Sequence, residues 1–106
     1  MKDGLYSVRF QTPNGAGAGV VFLQHGKLRG GDTAMWYAGP YADSGGKFTA
    51  NVAVARHTKG LPSVFGLDNV NVVLTGNSTD TTAQTTGYSP QVPGVNFSAD
   101  LTRLSD

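Results

Sequence analysis

Apolar and polar side chains alternate along most of this chain, and the alternation breaks at short intervals on glycine, asparagine and proline. A period of two marks a strand with one covered face, because successive side chains leave a pleated backbone on opposite sides. The clearest case is 48–56, with Phe48, Ala50, Val52 and Val54 on one face and Thr49, Asn51, Ala53 and Ala55 on the other. In 4–10, Tyr6, Val8 and Phe10 lie opposite Ser7 and Arg9, and in 95–104 the residues Val95, Phe97, Ala99 and Leu101 align. Further strands are predicted at 19–24, 27–29, 33–41, 70–75 and, rich in threonine, 81–88. Pro13-Asn14-Gly15, His25-Gly26, Asp43-Ser44-Gly45-Gly46, Gly76-Asn77 and Gln91-Val92-Pro93-Gly94 separate them, and such residues preset or tolerate turn dihedrals. Gly15-Ala16-Gly17-Ala18-Gly19 reads as a flexible hairpin loop, and Gly30, Gly31 and Asp32 read as turn-setting. Pro62-Ser63-Val64-Phe65, ended by Gly66, is the one place where a short helical turn is expected, within 61–67.

About eight short strands at a spacing of roughly 8–12 residues imply an all-β, up-and-down antiparallel meander. Such a sheet removes both exposed edges by closing into a barrel. The chain of 106 residues has room for one domain, 1–106, and no shift in composition divides it. Small residues at Ala50, Ala53, Ala55 and Gly87 are expected to leave space inside. Candidates for the cavity wall or for an interface are Tyr6, Val8, Phe10, Phe22, Trp36, Phe48, Val52, Val54 and Phe97.

Composition agrees with strands and narrows the chemistry. There is no glutamate and no isoleucine, and fifteen glycines with many threonines take the place of helix formers. Hydrophobic residues make up 39%, enough for a packed core, while only 14% are charged. A net charge of +1, with the basic residues scattered, provides no stripe for nucleic acid. Trp36, Tyr37 and Tyr41 could form a stacking platform, but no basic residues flank them, so a core, cavity or dimer-contact role is expected. No run approaches the ~20 apolar residues of a membrane span, and Met1-Lys2-Asp3-Gly4-Leu5-Tyr6 carries no apolar leader pattern; a cytoplasmic location is expected.

No cysteine is available as nucleophile, thiolate ligand or disulfide partner. Zinc needs three or four ligands, and His25 and His57, the two histidines, have no partner at ligand spacing, so no metal or cofactor is expected. The glycines at 15–19 lead into a strand and lack the Lys-Ser/Thr pair of a phosphate loop. No Gly-x-Ser-x-Gly elbow positions a serine, and no catalytic residue is assigned. An Asp32, His57 and serine cluster in one cleft would change that reading. Asp32, after two glycines, is expected to bond nearby backbone N–H groups.

Several motifs stand in a particular order along the chain. The residues concerned are the opening 1–10, the stretch Gly17-Ala18-Gly19-Val20-Val21, and Gly30-Gly31-Asp32 before an aromatic strand ending at Tyr37-Ala38-Gly39. Leu61-Pro62-Ser63-Val64, after the fourth long strand, completes the set. This order resembles the GrlR family, negative regulators of type III secretion, and the resemblance implies a calycin-like, lipocalin-type eight-stranded barrel, a homodimer, and regulation of transcription through a protein partner. The likeness fades beyond Leu67. Where the family's best-known member carries the acidic run Glu-Asp-Glu-Asp, this chain has Tyr41-Ala42-Asp43-Ser44-Gly45-Gly46, so the partner-binding residues do not transfer. Two functions are therefore expected in competition: a dimeric regulator acting by protein contact, and a barrel that holds an apolar or lipid-like ligand as carrier or sensor.

Overall fold

In a computed structural model, which describes residues 1–60 and 63–106, the chain forms a closed antiparallel barrel of eight strands in sequence order. They are β1 (Gly4–Thr12), β2 (Gly15–Gln24), β3 (Lys27–Gly31), β4 (Met35–Ser44), β5 (Lys47–Arg56), β6 (Asn69–Ser78), β7 (Thr82–Ser89) and β8 (Val92–Ser105). The ring closes where β1 meets β8, with Val8 opposite Leu101 and Phe10 opposite Ala99. Closure follows from the period-two pattern: one face of every strand is buried, and no strand remains as an edge to be covered.

The inward set is Tyr6 and Val8, Val21 and Leu23, Leu28, Met35 and Tyr37, Phe48, Ala50 and Val52, Val70, Val72 and Leu74, Ala83, and Ala99 and Leu101, all buried. Glycine takes inward positions where a tightly coiled sheet leaves no space for a side chain. A Cβ on Gly39 would stand 1.9 Å from the carbonyl oxygen of Asn51, and one on Gly76 1.9 Å from that of Gln84.

Several expectations are corrected. The glycine-rich stretch 15–19 is not a loop but the first half of β2, paired with β1 from Thr12↔Gly15 to Val8↔Gly19; its small residues fit a sheet that β1 already pins in register. Gly30 and Gly31 lie inside β3, where a Cβ on Gly30 would meet the Val20 oxygen at 2.0 Å, and the turn begins only at Asp32. The break expected at 91–94 is shorter: Ser89 pairs with Val92, and Pro93 and Gly94 (φ +84°) fall in an irregularity of β8, where proline needs no ladder partner. The described part of 61–67 holds one hydrogen-bonded turn, Gly66 N–H to Ser63 C=O at 2.8 Å, and no helix; Leu61 and Pro62 lie outside the described residues. Ala53 and Ala55 face outward, as their alternation with Val52 and Val54 requires, while Ala50 is buried inside.

Candidate functional site

The meander gives the barrel two ends. One gathers the tight hairpins Gln24–Lys27 and Ser44–Lys47, whose central residues have positive φ (His25 51°, Gly26 77°, Gly45 59°, Gly46 81°), the mirror-image turns that match strand twist. Here Tyr6, Leu23 and Phe48 are fully buried, and Tyr41 stacks on Phe48 at 5.8 Å. The N-terminal ammonium pairs with Asp43, which also accepts from the Ser78 hydroxyl. These bonds hold the Asp43 carboxyl below the usual carboxylate range. The Tyr6 hydroxyl donates to the Lys2 carbonyl at 2.6 Å, which ties the N-terminal segment to this end.

The opposite end is built around the longest connection in the chain, 57–68 between β5 and β6. Phe65, 8% exposed, folds inward and stacks on Phe97 at 5.2 Å, and Phe97 in turn stacks on Phe10 at 6.1 Å. The Thr12 hydroxyl donates to the Val64 carbonyl at 2.9 Å, fastening the connection to the β1–β2 turn. At its base, Arg56 bonds Asp68 at 2.8 Å and the Thr58 carbonyl at 3.1 Å. Beneath this roof lies a cavity of about 80 Å³. A water needs roughly 10–15 Å³ measured in the same way, so the space suits a body of about five heavy atoms.

Of the residues proposed from sequence, Val8, Phe10, Val52, Val54 and Phe97 line this cavity. Tyr6 and Phe48 fill the other end instead. Phe22 and Trp36 lie on the outer wall, 37% and 42% exposed, so adjacent Trp36 and Tyr37 serve opposite faces. Sequence reasoning missed Val64 and Phe65 as cavity wall, because an aromatic in an irregular stretch carries no periodicity to betray its direction.

Asp32 sets a turn, as expected, and does more. Its Oδ1 accepts the Ala34 and Met35 N–H groups at 2.9 and 2.8 Å, and its Oδ2 accepts the Tyr37 hydroxyl. Partial burial opposes its charge, but the Tyr37 bond, the two N–H groups and nearby His57 outweigh that and keep its carboxyl below the usual range. Burial, and then the Asp32 carboxylate, push the Tyr37 phenol far above its ordinary value. His57 comes close, but its Nε2 meets the Asp32 backbone oxygen at 3.0 Å and its Nδ1 the Thr58 hydroxyl at 2.6 Å. Ser63 lines the same cavity, and its hydroxyl donates to the Leu67 carbonyl at 2.7 Å. Aspartate, histidine and serine thus share one end of the barrel without a serine-to-histidine bond among the described contacts.

The outer wall holds a second feature. Strand register sets Ser7, Val20, Gly31, Trp36 and Ala55 in one row and Leu5, Phe22, Arg29, Ala38 and Ala53 in the next. Val20, Phe22 and Trp36 stand 45%, 37% and 42% exposed among small neighbours. Among the described residues no group of three or more His, Cys, Asp or Glu side chains is placed to hold a metal, and no helix is long and apolar enough to cross a membrane. No protein-family model matches this chain, and no curated protein matches it.

Proposed function

We propose that this chain is a GrlR-like regulatory barrel without catalytic activity, which acts by protein contact as a homodimer. The observation that supports it is the apolar outer face of β2–β5, where Val20, Phe22 and Trp36 rise beside Gly31, Ala38, Ala53 and Ala55 with Arg29 as the sole charge in the two rows. Aromatics beside small residues on a regular sheet suit an isologous contact, in which one patch meets its own copy across a two-fold axis. Sedimentation equilibrium tests this reading. The native chain is expected to dimerise in the micromolar range and Trp36→Glu to be monomeric and folded; a native chain monomeric at hundreds of micromolar contradicts it.

A second reading, a barrel that carries or senses a small apolar ligand, has its own support in the apolar cavity lined on one side by Ser63, Val64 and Phe65. Its walls are apolar except at Asp32, Tyr37 and Ser63, the composition of a small-molecule site in miniature. The two readings are compatible, since one uses the outer wall and the other the interior.

A further inference from the structure

The outer wall of β1 and β6–β8 carries a groove of about 680 Å³, within the ~300–1,000 Å³ range of small-molecule sites. It lies beside the register shift between Gly87 and Ser89, and no charged side chain lines it. Strand register sorts its polar lining into one row, Gln11–Ser98–Thr86–Thr75, with one residue from each of β1, β8, β7 and β6. All four are exposed. In the next row Tyr88, 52% exposed, stands opposite Val73, and Pro13 and Asn96 also line the groove.

An anionic ligand, nucleic acid included, finds no cation in this lining. A protein partner finds little apolar area to desolvate beside a row of hydroxyls and amides. A neutral sugar matches both rows. Its hydroxyls donate and accept hydrogen bonds as serine, threonine and glutamine side chains do, and its C–H face suits the negative face of a tyrosine ring. The polar row also has a repeat. Neighbouring strands lie about 4.8 Å apart, close to the advance per ring of an extended β-1,4-linked pyranose chain, so four strands span about 14 Å, or about three rings.

We propose that this groove binds a neutral, extended oligosaccharide laid across β6, β7, β8 and β1, with a ring face on Tyr88 and hydroxyls on Thr75, Thr86, Ser98 and Gln11. The site shares no residue with the apolar patch of β2–β5, so it holds whether or not the chain dimerises.

Amide NMR titration of the full chain with cellotriose and maltotriose tests the assignment. Cellotriose is expected to bind with a Kd of about 1 mM, its shifts centred on Thr75, Thr86, Tyr88 and Ser98. Maltotriose, whose α-linkages curve the chain away from the strand repeat, should bind at least about threefold more weakly. Tyr88→Ala should weaken cellotriose about fivefold, and Tyr88→Phe, which keeps the ring, by less than about twofold. Thr86→Val, which removes one hydroxyl and keeps the shape, should cost about threefold. No shifts with cellotriose at about 20 mM, shifts centred away from the groove, or equal binding by Tyr88→Ala and the native chain overturn the site. Equal affinity for the two trisaccharides overturns the extended-chain assignment.

Discussion

At the end of the barrel where Tyr6, Leu23 and Phe48 meet, the interior is filled by fully buried side chains and closed by short hairpins and the Met1–Asp43–Ser78 contacts. At the other end the side chains stop short of filling the space, and a long connection folds Phe65 over what is left. The strands are continuous between the two, so the difference does not come from the sheet. It comes from what each set of connections can insert. Two-residue turns add nothing to the interior and need the strands' own large residues to fill it; a long connection brings its own aromatic. Stability is thus expected to concentrate at the first end and ligand access at the second.

The largest test of this contrast is truncation of the two aromatics. Phe48→Ala should cost about 3–5 kcal/mol in urea unfolding, since its fully buried site is surrounded by packed strands. Phe65→Ala should cost less, about 1–2 kcal/mol, because the cavity beside it is already open and the connection can settle inward. Equal losses would erase the distinction between the ends. The same Phe65→Ala variant should bind small apolar probes faster than the native chain in stopped-flow measurements.

Acid should weaken both ends through different carboxylates. Asp43 and Asp32 are held below the usual range in the fold, so the stability they contribute is present above the unfolded carboxylate value of about 3.9 and is lost as pH falls through their lowered values. Tm measured from pH 7 down to 2 should fall steeply below about pH 4. Asp43→Asn and Asp32→Asn should each flatten part of that fall, and an unchanged slope in both would show that neither carboxylate matters to the fold.

The smallest effect lies in a hairpin of the packed end. His25 has a φ of 51°, a left-handed conformation in which asparagine and glycine are more at ease. His25→Asn should raise stability by roughly 0.5 kcal/mol, read as a shift in the denaturation midpoint, without changing any probe affinity at the other end. A change in affinity would mean that the two ends are coupled.

Much of this architecture was legible in the alternation. Phe48, Ala50, Val52 and Val54 face inward together, and the strand count and closure follow from repeating that pattern. The pattern was silent where side chains are small: at 15–19 glycine and alanine give no contrast between faces, so the first half of β2 looked like a loop. It was silent again at 63–67, where no period exists to show that Phe65 turns inward while neighbouring Leu67 stays 39% exposed. The site was half legible: Val8, Phe10, Val52, Val54 and Phe97 share a face by spacing, but their separation from Tyr6 and Phe48 depends on height along the barrel, which periodicity does not carry. Asp32 could be read as setting a turn, yet its place on the cavity wall depends on Tyr37 reaching back to it across the β3–β4 turn.

A crystal structure under xenon pressure tests most directly the claim that the barrel is filled at one end and hollow at the other, since xenon enters dry apolar cavities. Xenon is predicted among Val52, Leu74, Phe97 and Phe65, with none near Tyr6 and Phe48. Xenon at the Tyr6 end, or an interior that takes up none, would contradict it.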